Sequence, residues 1–341
     1  MSVARRERGI VLVVVLFFAL LLASTIATFE SRALIDHMIV RNRDSRARAE
    51  ALARGGIHLA TALLLEDKYR EVQTELAIDH QEELWSQIGG QPISFEDGSS
   101  LQIAIQDVGS KLNLNAALVF DETGAPEERS AALIQRLLEK AIAEIPLPPG
   151  EKLYDPAELA ANLIDYVDED PMRQSGGPED DDYQRRDPPA RPANRPLLSV
   201  DELRRVEGFD ALIVDSLRPY VTVYPFVGGG GINPNTAPPH VLALLFFDDE
   251  VELRLADEET VRGILRARQD GSFLCGEEQS AEGCTPIRDL VTNAIFPEPR
   301  TSSDVFVVTA TGRVGDVQRS VEAVIDRSQG AVPRLLSWRV L

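Results

Sequence analysis

The N-terminal part of the chain changes from uniformly apolar to mixed sequence. An uncharged stretch from Ile10 to Phe29, rich in Val, Leu, Ile, Phe and Ala, follows the short basic segment 1–9. Twenty residues of α-helix span about 30 Å, the thickness of the hydrocarbon core of a bilayer. From Glu30 to Lys68 the chain has no proline and keeps Ala, Leu, Arg and Glu at helical spacing. The pattern predicts one long helix over 10–70 whose first half, about 10–29, crosses a membrane.

Alternation of apolar and polar residues, the pattern of a half-buried β-strand, returns in two distant parts of the remaining chain. An Asp-Gly pair separates two such segments in the first part, and a Gly-Asp pair separates two in the second. Such a pair is typical of a β-hairpin. The four segments are 91–96, 100–108, 304–313 and 317–326, with 334–340 as a candidate edge strand. We therefore predict an antiparallel sheet with strands from both parts.

The stretch of about 190 residues between the hairpins has the texture of helix and loop. Ser199 and Glu202 form a capping-box pattern, and Gly208 ends the helix that they open. Two Asn-x-Asn segments each open a helix, and we expect Asn115 and Asn235 to be the caps. Compact units with glycine turns are similar to helix-hairpin-helix or sterile-alpha-motif-like domains. We predict a large inserted α-helical domain over 111–301 that interrupts an α/β body formed by 71–110 and 302–341.

Charge and motif content bear on two classes of function. The chain has 35 Lys and Arg against 55 Asp and Glu, a formal net charge of −20. A surface of this sign repels polyanions, so we predict no nucleic-acid partner. The four histidines are scattered, and no HExxH, GxSxG, Walker-type or dinucleotide motif is present in the sequence. We predict that the protein is not an enzyme.

The border between the basic segment and the apolar run carries a resemblance. Gly9 stands between them without a gap, which resembles the class III leader that prepilin peptidase cuts after glycine. By that resemblance residues 1–9 are a leader, the cut falls before Ile10, and Ile10 becomes an N-methylated N-terminus. The alternative from the apolar run alone is a generic signal anchor. Most pilins have Glu at the fifth mature position; here that residue is Val14, which suits a subunit at a filament tip.

A pilin-like α+β fold, a long N-terminal helix plus antiparallel sheet, is the architecture these features predict. Four ordered segments resemble the type II secretion minor pseudopilin K family, the general secretion pathway protein K family. They are 162–170, 176–183, 192–202 and 231–237. The resemblance implies a subunit at the pseudopilus tip, with the minor pseudopilins I and J and the inner-membrane secretion platform as partners. It also implies a single pass through the inner membrane, with the body in the periplasm.

A dense group of acidic residues lies on both sides of a Gly-Gly turn in the insert. Calcium binds six to eight oxygens, typically from carboxylates and carbonyls on a loop. A solvated acidic loop, with Arg173, Arg185 and Arg186 as compensating charges, is the alternative. The family resemblance implies calcium in the helical domain. The predicted ligands are Asp165, Asp168, Asp170, Glu179 and Asp180.

The two cysteines, Cys275 and Cys284, lie close together in sequence and belong to no CxxC pair. In an exported body we expect them to form a local disulfide, because oxidising compartments preserve such bonds. Three carboxylates lie within the loop that the bond would close: Glu277, Glu278 and Glu282. They form a second metal candidate, although a stapled surface loop with solvated glutamates is the favoured interpretation.

Two functions from different classes follow. The first is a calcium-stabilised tip subunit of the secretion pseudopilus, which initiates or caps the filament and supports protein export across the outer membrane. The second is a membrane-tethered periplasmic module that binds DNA or another ligand through its helix-hairpin-helix-like insert. Formation of a stoichiometric complex with other pseudopilins distinguishes the first from the second.

Overall fold

A computed structural model describes residues 7–146, 154–179, 183–248, 253–269, 271–276, 281–291, 293–328 and 332–341, with side chains from Ile10 onward. The helices are α1 (Glu7–Thr74), α2 (Leu84–Gln87), α3 (Leu114–Ala117), α4 (Glu128–Ala143), α5 (Pro156–Val167), α6 (Ala211–Leu217), α7 (Pro239–Leu242), α8 (Glu258–Ala267) and α9 (Ile287–Leu290). The strands are β1 (Ile93–Ser94), β2 (Ser100–Asp107), β3 (Leu112–Asn113), β4 (Val221–Thr222), β5 (Phe246–Asp248), β6 (Leu253–Leu255), β7 (Phe273–Cys275), β8 (Cys284–Pro286), β9 (Ala294–Phe296), β10 (Val305–Val314), β11 (Val317–Asp326) and β12 (Arg334–Val340). Short 3₁₀ turns cover Ile88–Gly90, Val108–Ser110 and Val200–Arg205.

The predicted long N-terminal helix is confirmed as α1, whose N-terminal part is the one described segment long and apolar enough to cross a membrane. Its side chains from Ile10 to Asp44 are all exposed, and Ala49 is the first buried one. From there a stripe at helical spacing is buried: Ala49, Ala53, Ile57, Ala60 and Leu64. The same helix therefore projects from the body over its first half and packs on the body over its second.

The stripe packs on a five-stranded antiparallel sheet in the order β1-β2-β10-β11-β12. Both predicted hairpins and the predicted edge strand are confirmed. A Cβ atom on Gly312 of β10 would lie 2.1 Å from the carbonyl oxygen of Ala49. Glycine at this position therefore allows the helix and the strand to approach closely.

The insert between β2 and β10 contains its own hydrophobic core, to which α4, α5 and α6 contribute. Besides helix and loop it contains three small sheets: β3 with β4, β5 with β6 and β9, and β7 with β8. The insert, predicted to be mostly helix and loop, therefore also contains short strands. These strands are two or three residues long, too short for a period-2 pattern to show in sequence.

The two Asn-x-Asn segments differ from the prediction in the same way. The first asparagine of each pair, not the second, accepts the local backbone bond: Asn113 from Asn115 N at 3.0 Å and Asn233 from Asn235 N at 3.0 Å. The second asparagine binds a distant backbone segment through both amide atoms. Asn115 binds the N–H and C=O of Leu197, and Asn235 those of Leu274. Asn115 and Asn235, which were predicted to be helix caps, therefore join distant backbone segments of the insert by hydrogen bonds.

The capping-box segment also differs in detail. Ser199 accepts a bond from Asp201 N, as a cap does, but the segment it opens is a 3₁₀ turn. Glu202 does not bond back to Ser199; it accepts from Leu198 N at 2.9 Å and pairs with Arg195 at 2.6 Å. Gly208 closes the unit with a φ of 81°. The ion pair with Arg195 and the bond from Tyr166 draw the Glu202 side chain away from the reciprocal cap.

Candidate metal centre

A tight loop after α5 brings three acidic side chains of the insert together. Asp165 lies in the last turn of α5, and Asp168 is the residue that ends the helix. The chain then reverses over the positive-φ glycines 176 and 177, with Arg173 N bonded to the carbonyl of Gly177 at 2.9 Å. A bond from Glu179 N to the carbonyl of Pro171, 3.1 Å, returns Glu179 to the end of the helix. We call Asp165, Asp168 and Glu179 the loop cluster.

The carboxylates of the loop cluster offer oxygens within 4.8 Å of one another, and all three residues are buried. Asp165 accepts a bond from Gln174 N at 2.9 Å. Asp168 and Glu179 are 2% and 1% exposed, and none of their four carboxylate oxygens has a hydrogen-bond partner among the described residues. A buried carboxylate without a partner is costly. The arrangement therefore presents acceptors that lack a donor or a cation.

The electrostatics of the cluster follow from that burial. Burial, reinforced by the charges of Asp170 and Asp165, raises the pKa of Asp168 to about 7. Burial and the charge of Asp168 raise the pKa of Glu179 to about 8. Burial also raises the pKa of Asp165. Near pH 7 the loop cluster therefore favours either protons or a bound cation.

Two of the arginines considered as internal compensation have other partners, although the charge of Arg173 lowers the pKa values of Asp165 and Glu179 and so opposes part of the effect of burial. Arg173 pairs with Glu207 at 3.1 Å. Arg186 stacks on the ring of Tyr183, 4.0 Å from its centroid, and donates to the carbonyl of Arg205. Calcium binds carboxylate oxygens such as those of Asp168 and Glu179, which have no hydrogen-bond partner among the described residues. The residues present thus fit a divalent cation.

The remaining predicted metal ligands are Asp170 and Asp180, near the loop cluster in sequence, and Glu277, Glu278 and Glu282 between the cysteines. Asp170 is half-buried and accepts a bond from Met172 N at 2.7 Å, so it contributes charge to the loop cluster without belonging to it. Asp180, Glu277 and Glu278 lie outside the described residues. Glu282, the remaining member of the second candidate, is exposed. The predicted Cys275–Cys284 disulfide is present, with a Cα–Cα distance of 5.8 Å.

A second group of three buried carboxylates was not predicted from the sequence. Asp67 and Glu71 lie on α1, and Asp79 on the segment after it. The guanidinium of Arg327, directly after β11, lies among them at 2.6 Å, 2.6 Å and 2.7 Å. We call these four residues the arginine cluster. Its members are separated by up to 260 residues in sequence, so no local spacing reveals them.

The arginine cluster carries its cation within the chain. Burial alone would lower the pKa of Arg327, but the carboxylates of Asp79, Glu71 and Asp67 raise it above its ordinary value. Arg327 also donates to the carbonyl of Ser303 at 3.1 Å. The cluster therefore ties α1 to the end of the sheet. Burial nevertheless raises the pKa of Asp79 well above its ordinary value, against the opposing charge of Arg327.

A buried aspartate next to this cluster joins the sheet to the insert. Asp107, the last residue of β2, accepts bonds from Gly109 N at 2.6 Å, Asn233 Nδ2 at 3.1 Å and Thr236 Oγ1 at 2.5 Å. Asn233 also donates to the carbonyl of Asp79 at 3.3 Å. Burial raises the pKa of Asp107, while these donors act in the opposite direction. The insert is thus fixed to the helix and the sheet by polar contacts.

Comparisons with known proteins agree with one another. A family model described as type II secretion system (T2SS), protein K, matches residues 110–226. The chain is 32% identical to the type II secretion system protein K of Klebsiella pneumoniae over 96% of each chain. It is 29% identical to that of Pseudomonas aeruginosa over 71% of this chain and 69% of the relative. A solved structure, the GspK-GspI-GspJ complex from enterotoxigenic Escherichia coli, contains a chain with a similar fold. The TM-score is 0.59 at 20% identity, over 89% of this chain and 99% of that one.

Proposed function

The chain belongs to the type II secretion system protein K family, and from this membership we propose that it is a minor pseudopilin at the tip of a secretion pseudopilus. The observation that carries the proposal is α1. A single helix has an exposed apolar run outside the body, while its second half anchors a sheet enlarged by a bulky insert. Such an insert suits the end of a filament better than its repeating interior.

We propose that residues 1–9 are removed as a leader, so that an N-methylated Ile10 begins the mature chain. The arginines of the leader favour a cytoplasmic N-terminus under the positive-inside rule, with the body exported to the periplasm. The Cys275–Cys284 disulfide supports an oxidising compartment for that body. The proposed location is therefore a single pass through the inner membrane.

The outer face of α1 supports lateral packing against other helices. Seven positions alternate in steps of four and three: Ala51, Gly55, His58, Ala62, Leu65, Tyr69 and Val72. All seven are exposed, on the side of the helix away from the buried stripe. This is the spacing of a coiled-coil seam, in which small residues allow close approach of a second helix. The membrane anchor would make such a helix parallel to α1.

The solved complex names I and J proteins as the companions of its K chain. By family membership we propose that this chain likewise assembles with I-type and J-type minor pseudopilins and with the inner-membrane platform. The comparisons give no support to the alternative of a DNA-binding module, and the net charge of −20 opposes it. The role we propose is structural and involves no enzymatic activity.

We propose that the loop cluster binds calcium. Four buried carboxylate oxygens without hydrogen-bond partners in the described chain are the support for this assignment. Asp168 and Glu179 would hold the ion, Asp165 would add a third carboxylate, and backbone or water oxygens would complete the shell. Bound calcium would neutralise this charge and fix the loop against the end of α5, stabilising the insert.

Co-expression of the full-length chain with prepilin peptidase and with I-type and J-type pseudopilins tests the assignment. We expect a stoichiometric complex in detergent and a mature mass that starts at methylated Ile10. Gly9→Val should leave the leader uncut, whereas Gly90→Ala, at a glycine with open space around it, should be processed normally. A chain that still begins at Met1, or that forms no complex, contradicts the proposal.

A further inference from the structure

The loop cluster is completed by a small hairpin, residues 171–179. An antiparallel bridge joins Met172 to Pro178 within it. At the base of the hairpin, Glu179 N donates to the carbonyl of Pro171 at 3.1 Å. The position of Glu179 therefore follows that of Pro171. The distance from Glu179 to the other two acids of the loop cluster depends in turn on where the base of the hairpin lies.

Two contacts attach the turn of this hairpin to the insert. Gln174 N donates to the Asp165 carboxylate at 2.9 Å, and the Arg173 guanidinium pairs with Glu207 at 3.1 Å. Both contacts are made by residues in the turn, at the opposite end of the hairpin from its base. They therefore restrain the turn more directly than the base, where Glu179 lies.

The base of the hairpin is bonded by Asn194, a residue outside the acidic sequence. Asn194 Nδ2 donates at 3.2 Å to the carbonyl of Asp170, which belongs to the peptide group joining Asp170 to Pro171. The N–H of Asn194 donates at 3.0 Å to the carbonyl of Tyr166. Tyr166 lies in the last turn of α5, where backbone carbonyls lack a partner within the helix. Asn194 therefore joins the base of the hairpin to the helix that carries Asp165.

The backbone conformation at Asn194 suits asparagine. Its φ is 45°, in the left-handed region that most residues with a Cβ atom rarely adopt and that asparagine adopts more readily. Glycine would keep this backbone but would lack the side-chain donor. Alanine would lack the donor and would also disfavour the backbone. Aspartate could adopt the backbone, but its carboxylate could not donate to a carbonyl.

Asn194 is attached to a part of the insert that is itself fixed. Arg195, the next residue, pairs with Glu202 at 2.6 Å. The N–H of Leu197 donates to Asn115 Oδ1 at 2.8 Å, and its carbonyl accepts from Asn115 Nδ2 at 2.9 Å. The Leu197 side chain is fully buried. Loss of the Asn194 amide should therefore displace the hairpin and leave the segment that carries Asn194 in place.

We propose that Asn194 is a positioning residue of the loop cluster. It fixes Pro171 through the carbonyl of Asp170. Glu179 is thereby placed where it shares a calcium ion with Asp168. Asn194 acts through the backbone of the hairpin and is not itself a ligand. This inference rests on the calcium binding proposed above and extends that site to a residue that no acidic pattern identifies.

The test measures calcium binding to the full-length chain in detergent by isothermal titration calorimetry. Asn194→Gly keeps the backbone conformation and removes the donor, so we expect a dissociation constant for calcium about fivefold to tenfold higher than that of the wild type. Asn194→Ala should raise it further. The matched control is Gln81→Ala, which removes a side-chain amide bonded to the carbonyl of Thr236 at 3.3 Å, outside the loop cluster. It should bind calcium within twofold of the wild type.

A measurement without calcium separates positioning from stability. In chelator the Gln174 amide, which is bonded to Asp165, should exchange hydrogen faster in Asn194→Gly than in the wild type, because the hairpin is held less firmly against α5. Gln81→Ala should leave this exchange unchanged. Thermal unfolding in chelator verifies that both variants are folded. A residue with a merely structural role would lower the melting temperature and leave the dissociation constant for calcium unchanged.

The outcomes distinguish this inference from calcium binding itself. If the wild type binds calcium and Asn194→Gly binds it within twofold, the positioning role is wrong and the calcium site stands. If Asn194→Gly and Gln81→Ala weaken binding equally, the effect is one of general stability and the positioning role is again wrong. If the wild type binds no calcium, the calcium site and the positioning role both fail.

Discussion

The protein buries two groups of three carboxylates, and they differ in what lies among them. In the arginine cluster, Arg327 contacts all three acidic side chains. In the loop cluster, Asp168 and Glu179 have no hydrogen-bond partner within the described residues. Burying a carboxylate is costly in both places, so each cluster requires a compensating charge. A guanidinium thus bonds directly to every acid of the arginine cluster, whereas in the loop cluster Arg173 acts on Asp165 and Glu179 through its charge. The two clusters therefore give opposite expectations for added calcium.

Removing the guanidinium of Arg327 should destabilise the protein more than any other change considered below. Arg327→Met keeps much of the volume but leaves Asp67 and Asp79 buried without their guanidinium partner and Glu71 with Lys68 alone, at 2.9 Å. Breaking a buried pair in this way typically costs about 3–5 kcal/mol. We expect a free energy of unfolding lower by that amount, measured by denaturant unfolding of the full-length chain in detergent. Arg313→Met, at an exposed arginine, should change it by less than about 0.5 kcal/mol. Similar stabilities for both variants would contradict the role of Arg327.

Calcium should stabilise the protein through the loop cluster and not through the arginine cluster. A ligand at one hundred times its dissociation constant adds about 2.7 kcal/mol to the stability of the state that binds it. We expect a higher melting temperature in calcium than in chelator, and Asp168→Asn should abolish the difference. The matched variant Asp67→Asn should retain it. A wild type that melts identically in both conditions would identify the loop cluster as a plain acidic loop.

The sign of one substitution should depend on calcium. In chelator near pH 7, folding requires Glu179 to take up a proton, because burial raises its pKa to about 8. Glu179→Gln removes that requirement and should stabilise the protein by about 1–2 kcal/mol. In calcium the same change removes a ligand and should destabilise it. Glu71→Gln weakens the bond to Arg327 and should destabilise in both conditions. The measurement is the free energy of unfolding of Glu179→Gln and Glu71→Gln, each in calcium and in chelator. If Glu179→Gln changed stability in the same direction in both conditions, the proposed difference between the two clusters would be wrong.

The elements that a short stretch of sequence determines were predicted correctly. The apolar run of α1, the turn at Asp97-Gly98 and the alternation along β10 and β11 each lie within about twenty residues, and all were predicted correctly. The acidic density around Asp165 is local in the same sense. Its burial is not, because it depends on how α5 packs in the insert. The sequence could therefore suggest ligands but could not separate Asp168 from the more exposed Asp170.

What the sequence could not provide are contacts over long separations. Arg327 meets Asp67 across 260 residues, and no spacing rule links an arginine after a strand to acids on a distant helix. The roles predicted for the asparagines of the two Asn-x-Asn segments were also wrong. Propensity identified Asn115 and Asn235 as caps, whereas tertiary contacts with Leu197 and Leu274 use the second asparagine of each pair. Asn113 and Asn233, two residues earlier, accept the local backbone bonds instead.

Glu83, at the border of the arginine cluster, should make stability depend weakly on pH. Glu83 accepts bonds from His80 N at 3.0 Å and Trp85 Nε1 at 2.8 Å. Burial, together with the charge of Asp67, raises the pKa of Glu83 to about 7. Arg327 contacts Asp67, Glu71 and Asp79, whereas Glu83 accepts its bonds from neutral donors. Because the folded state holds the proton more tightly than the unfolded state, stability falls as pH rises from the ordinary glutamate pKa toward 7.

Glu83→Gln keeps an acceptor for both bonds and removes the titration. We expect the wild type to lose about 1 kcal/mol of stability relative to this variant between pH 5 and pH 8, after discounting for partial solvent access. Glu82→Gln, at the exposed neighbour, should follow the wild type across the range. Parallel curves for the wild type and Glu83→Gln would contradict the raised pKa of Glu83, because the folded and unfolded states would then bind its proton equally well.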